Sequence, residues 1–170
     1  MKKLIWIFLG LTFHSNCQTP GNGLFDNTGS HYDTVIIGAQ EWQKTNHRDK
    51  LYADGTEIPY EPDPTVWSSL TRGAWCFYNE NPGNEQSYGV LYNWYAVMGI
   101  YDAASLNDPL LRKQFAPDGW HVPTQYDFNQ LLVYLDPNST SPTIRANSQI
   151  AGDMLKEVGT LYWNLSLIHI

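Results

Sequence analysis

Cysteine, histidine and tryptophan are the side chains that could do chemistry in this 170-residue chain, which holds 2, 5 and 7 of them. Cys76 has no CxxC neighbour and no histidine at metal-ligand spacing. His121, in "GWHVPT", is the most tempting single residue. A catalytic or metal role needs partners, and no second histidine stands at i+2, i+3 or i+4. The expected role is structural, with the ring bonded to backbone in the turn before a helix. A fold that joined Cys76 to His121 would make a thiolate–imidazole pair, the machinery of nucleophilic catalysis. The sequence itself singles out no catalytic residue and no metal ligand.

The tryptophans offer a different chemistry. Trp42, Trp67, Trp75, Trp94, Trp120 and Trp163 present flat faces on which sugar rings could stack. Trp67, Trp75 and Trp120 are the candidate ligand-binding aromatics. The competing assignment, for most of the six, is the hydrophobic core. The loops "EPDPT" and "NENPGNEQ" carry oxygen ligands, which leaves calcium open as a bound ion. No EF-hand spacing is present, and a solvated acidic loop is the expected state. No cofactor is otherwise implied. Asn138-Ser139-Thr140 fits a glycosylation sequon.

Composition narrows the setting. Apolar residues make up 42% of the chain, charged residues only 16% and aromatics 14%. Disordered chains are poor in aromatics, so most of this chain is expected to fold. The low charge points to an exported protein. Met1-Lys2-Lys3 followed by "LIWIFLGLTF" has the basic start and apolar length of a signal peptide, too short to span a membrane. In "HSNCQ", Cys17 is placed for lipidation, so residues 1–17 read as a lipoprotein signal peptide. Ordinary cleavage after Cys17, with Ser15 and Cys17 as the small residues, is one alternative, and an uncleaved anchor is the other. A lipoprotein would sit in the outer membrane or on the cell surface. A plainly cleaved chain would be secreted or periplasmic.

Loss of Lys2 and Lys3 with the leader takes the formal charge from −7 to −9. An acidic domain without a Lys/Arg cluster is a poor nucleic-acid binder, since phosphate neutralisation drives that association. Any membrane contact should come from the lipid alone. The expected partners are a glycan or a cell-surface protein.

The elements that must position these residues follow from pattern. Residues 18–30, "QTPGNGLFDNTGS", read as a flexible tether. "HYDTVIIGAQEWQKT" reads as a β-hairpin turning at Gly38-Ala39. Asp54-Gly55 signals another tight turn, and "GAWCFY" is a short aromatic strand. "YGVLYNWYAV" (88–97) has apolar residues at i, i+3, i+4, i+7 and i+8, which predicts a buried helix. "GIYDAASLNDPLLRKQF" reads as an inserted loop with a short helical turn. Thr124 and Asp127 form a capping box. Phe128, Leu131, Leu132 and Leu135 then mark an amphipathic helix ending near Asp136-Pro137. "SQIAGDMLKEVG" is a second, weaker helix. Strands precede helices with little alternation, so the class is α+β, with short strands or hairpins and two to three helices.

"EWQKTN", "GAWCFYN", "YGVLYNWYAV", "APDGWHVPT" and "MLKEVGTLYWN" occur in that order. Together they resemble the Fibrobacter succinogenes major paralogous domain, a family of exported bacterial proteins that are often lipoproteins. The resemblance covers residues 31–164. It implies a fold similar to the C-type lectins and the sulfatase-modifying factors. It also implies that the chain carries the N-terminal part of the domain, so that the fold is incomplete. Family members continue past the "YWN" block with a Gly-rich aromatic stretch, a "WSST"-like motif and a closing "GFSVRC" strand, absent here. The resemblance thus makes Cys76 one half of a disulfide whose partner is the missing closing cysteine. A buried free thiol is the alternative. Residues 165–170, "LSLIHI", match the translation of a transposon-end adapter used for sequencing libraries, and are read as an artefact.

Three functions remain in view. The first is a non-catalytic binding or adhesion module. The second is a structural module of a surface assembly, without a small ligand. The third is an enzyme of the formylglycine-generating type, whose C-terminal cysteines this chain lacks.

Overall fold

The computed structural model describes residues 2–4, 18–139, 148 and 150–155. Cys17, Trp163 and the 165–170 stretch lie outside them. The expectation of an α+β class holds: small, mostly antiparallel sheets combine with several short helices.

The hairpin forms where alternation places it. β5 (Thr34–Ile37) and β6 (Gln40–Gln43) pair antiparallel around Gly38-Ala39, with Val35 opposite Trp42. Side chains alternate across a strand, so Val35, Ile37 and Trp42 share one face. That face packs on α5 (Gln125–Leu135) through Leu131, Leu135 and Phe128, and Ala151 of α6 (Ala151–Leu155) completes the cluster. Burying each such aliphatic side chain is worth about 1.5–3 kcal/mol. α5 starts at the expected cap: Thr124 Oγ1 accepts the Asp127 N–H, and the Asp127 carboxylate accepts the Thr124 N–H at 2.9 Å.

Two further strands complete this sheet, in the order β1-β6-β5-β2. β1 (Lys2–Leu4) runs parallel to β6, and β2 (Gln18–Pro20) antiparallel to β5. Residues 18–30 are therefore part of the fold, not a tether. β3 (Leu24–Phe25) pairs with β4 (His31–Tyr32), and Leu24 and Tyr32 are buried with Ala116 and Trp120. The Gly, Asn and Thr that suggest a linker instead build a tight turn around Asp26. Its carboxylate accepts the backbone N–H groups of Thr28 and Ser30 and the hydroxyls of Thr28 and Tyr32.

The buried helix expected over 88–97 is not formed. α2 (Glu85–Tyr88) stops at Gly89, β8 (Leu91–Tyr92) pairs with β7 (Trp75–Cys76), and α3 (Trp94–Val97) follows. Gly89 has φ +68, and a Cβ there would lie 2.4 Å from the His47 carbonyl oxygen. Asn93 restarts the helix, its side chain accepting the Ala96 N–H at 2.9 Å. Pairing with β7 outweighs local helical periodicity. α1 (Pro64–Ser69) and α4 (Ala103–Asn107) are also one to two turns long, so the described residues hold six short helices rather than two or three.

Candidate functional site

The β7–β8 ribbon gathers most of the aromatic side chains that could meet a ligand. Trp75 and Phe77 lie on one side of β7, packed at 5.0 Å with planes 86° apart. The Tyr60 ring stacks obliquely on Trp75 at 4.6 Å. Lys50 Nζ sits 4.7 Å from the Trp75 ring centre and 2.7 Å from Glu85 Oε1. This cation over the indole, closed by a carboxylate, pins the loop after β7 to the 46–52 segment.

Beyond the end of β7, Tyr78 and Tyr88 pair at 5.3 Å. They flank a loop whose backbone is unusual. Asn79 and Glu80 both take positive φ, 53° and 54°. Asparagine tolerates this conformation, whereas for glutamate it stores strain. The loop is held by the Asn84 amide donating to the Tyr78 carbonyl and by Asn81 Oδ1 accepting the Gly83 N–H.

Exposure sorts the rings. Tyr60 and Tyr78 are 45% exposed, Tyr88 42% and Trp94 60%. Trp75 and Trp120, two of the three expected ligand-binding aromatics, are only 7% and 6% exposed. Both are therefore corrected to core residues. The third, Trp67, is half-buried in α1, whose Asp63 cap accepts the Thr65 N–H at 2.7 Å. The outward positions belong mainly to tyrosines, which sequence reasoning passed over. Their signal was positional: Tyr78 and Tyr88 bracket the Gly/Asn/Pro loop, and loop rims are exposed.

The remaining candidates resolve as follows. Cys76 is half-buried and free. Burial, with the Glu80 carboxylate adding to it, pushes the thiol up and keeps it protonated. Among the described residues, the His121 ring meets a side chain and not backbone. Its Nε2 lies 3.2 Å from Asp127 Oδ2, which ties it to the α5 cap instead of to Cys76. In the loops considered for calcium, Asp63 is spent on the helix cap and Glu85 on Lys50. Among the described residues, no three His, Cys, Asp or Glu side chains lie together as a metal ion would require. Among them too, no helix is long and apolar enough to cross a membrane.

His47 is the buried histidine that sequence reasoning left aside. Its ring is enclosed by Tyr32, Tyr92 and Phe115. Nδ1 lies 3.2 Å from Gln43 Oε1, and Nε2 has no hydrogen-bond partner among the described residues. Burial lowers its pKa to about 4, with Asp26 opposing and Arg48 assisting. The ring is neutral and serves packing.

The sequence profile of the Fibrobacter succinogenes major domain matches residues 35–169. The chain belongs to this family. No curated protein and no solved structure matches it. The major-domain match begins inside β5, so β2, β3 and β4 precede the region that defines the family. It includes the whole β7–β8 ribbon, the strained loop and the "GWHVPT" turn. The two polar residues that hold the ribbon in place, Asn93 and Lys50, also lie within it.

Proposed function

We propose that this major-domain protein is a non-catalytic binding module of an exported, lipid-anchored envelope protein, on an α+β framework of C-type-lectin-like kind. The observation that carries this reading is the outward set of rings around β7–β8: Tyr60, Tyr78, Tyr88 and Trp94. Exposed rings on a strained, well-bonded loop suit a surface that stacks on a ligand with little loss of conformational freedom. A glycan of the cell envelope is the ligand, since its sugar rings offer apolar faces to tyrosine and hydroxyls to the neighbouring Asn and Glu side chains. The protonated thiol of Cys76 and the capped ring of His121 support a role without turnover. The lectin-like framework is a fold-level analogy.

A glycan array probed with the full chain tests this. Binding that falls about tenfold, or 1.4 kcal/mol, in Tyr78→Ala and Tyr88→Ala at unchanged melting temperature supports the reading. Capture of envelope protein but no glycan moves the ligand class to protein. Binding to neither leaves a structural module of a surface assembly.

A further inference from the structure

A concave surface lies N-terminal in sequence to the aromatic loop. A cleft of about 310 Å³ is walled by the Gly21-Asn22-Gly23 turn on one side and by His31, Asp33 and Lys44 on the other. That volume is at the lower end of ligand-site sizes and suits one or two sugar rings.

The wall is built on a buried carboxylate. Glu41 is fully buried. Its Oε1 accepts the Thr34 hydroxyl at 2.6 Å and the Asn22 N–H at 2.8 Å. Thr34 in turn accepts the Gly23 N–H on its hydroxyl oxygen, at 2.9 Å, and the Gly21 N–H on its carbonyl. All three successive amide groups of the turn are thus fixed by Thr34 and Glu41. Among the described residues, Glu41 Oε2 is left without a hydrogen-bond partner. A buried acceptor without a partner is costly, and such costs concentrate at functional sites. Glycine is needed at both ends of the turn. A Cβ on Gly21 would lie 2.4 Å from Glu41 Oε1, and one on Gly23 would lie 2.5 Å from His31 Nε2.

An apolar ring stands beside the cleft, next to its His31 wall. Phe25 is 67% exposed and its ring meets that of His31 edge-on at 5.0 Å. The cleft and its border therefore combine the exposed Phe25 ring, the Asp33 carboxylate and the Asn22 side-chain amide, with Lys44 in the same wall. An anion is disfavoured by Asp33, with Glu41 behind the wall. The Lys44 charge in the same wall offsets that of Asp33. A neutral ring with one C–H face and a rim of hydroxyls, each both donor and acceptor, matches this set.

We infer that the cleft between Gly21–Gly23 and His31/Asp33/Lys44 is a binding subsite for a neutral saccharide unit, with Phe25 stacking on the sugar ring. The inference stands on residues separate from the β7–β8 surface and does not depend on it.

The test is NMR on the full 170-residue chain, with neutral hexoses and N-acetylhexosamines as probes. The expected result is saturation transfer to at least one sugar, together with shifts of the Gly21, Asn22 and Gly23 amides. Phe25→Ala and Asp33→Ala alter exposed side chains and should weaken binding about tenfold at unchanged melting temperature. Tyr78→Ala should leave these shifts in place, which separates this subsite from the proposed aromatic surface. Absence of shifts at the three amides with every neutral sugar overturns the inference. So does a stronger response there to a simple amine or carboxylate than to any sugar.

Discussion

The Tyr32 hydroxyl donates to Asp26 Oδ2 at 2.8 Å, and this bond ties the β3–β4 turn to the buried ring of its own second strand. Burial and the acidic partner raise the phenol far above its ordinary range, so it donates at every accessible pH. Arg48 lies over the same ring, 4.5 Å from its centre. Tyr32→Phe leaves the packing and removes one donor, which should cost about 1 kcal/mol. Asp26→Ala strands several donors at once and should cost about 3 kcal/mol. Urea denaturation of the two variants beside the parent gives both numbers. Equal, negligible losses would mean that residues 18–30 are loosely attached after all.

Acid should destabilise the protein through His47. In the folded chain the ring titrates near 4, against 6.5 for the ordinary group. Between those values the unfolded chain takes up a proton that the buried ring refuses. Stability is therefore full above pH 6.5 and falls as the pH drops towards 4. The loss approaches about 3 kcal/mol at the acid end. Asp49 works the other way, because burial raises its carboxyl and folding then favours the protonated form. Its contribution offsets part of the loss at the lowest pH. Melting curves across this range should show the slope in the parent and lose most of it in His47→Phe.

Gly89 and Gly119 separate two costs of a side chain. Both have positive φ, +68 and +80, but only Gly89 is crowded, by the His47 carbonyl. Gly119→Ala should cost about 1 kcal/mol, from backbone strain alone. Gly89→Ala should cost about 3 kcal/mol or more, since backbone must move as well. Thermal melts that rank the two equally would contradict the close approach at position 89.

Binding and stability should divide between the aromatic residues. Trp120→Ala opens a cavity beside Leu24 and Tyr32 and should cost about 3–5 kcal/mol. Tyr60→Ala and Tyr78→Ala remove half-exposed rings and should leave the melt within about 1 kcal/mol of the parent. Differential scanning fluorimetry on the three variants is sufficient.

Where the sequence was legible, one local signal had no competitor. Thr124 and Asp127 cap α5, and four apolar residues line its buried face, so local preference and packing agree. The 88–97 stretch failed because apolar residues fall at helical spacing by accident of a strand lying between two short turns. Gly89 and Asn93 were the breaking signals, and their weight depends on β7, which is distant in sequence. The 18–30 stretch failed because composition cannot show that Asp26 accepts four hydrogen bonds. The tryptophans were legible as aromatic payload but not as exposed or buried. Trp75 is covered by Tyr60 and Phe77, contacts that periodicity does not encode. Glu41 was invisible because "QEWQ" reads as a half-polar strand, while every residue of β6 is buried.

The sheet order β1-β6-β5-β2 sets the two strands that flank residues 5–17 at opposite edges. Joined by that link, Lys2–Leu4 reaches β6 as an intramolecular partner, at an effective concentration in the millimolar range or above. If the proposed leader is cleaved at Cys17, β1 leaves with it and loses this covalent link to the sheet, which uncovers the β6 edge. The amides of Gln40 to Trp42 would then report the loss of β1 directly. They should exchange slowly with deuterium in the full chain and faster in a chain that begins at Gln18.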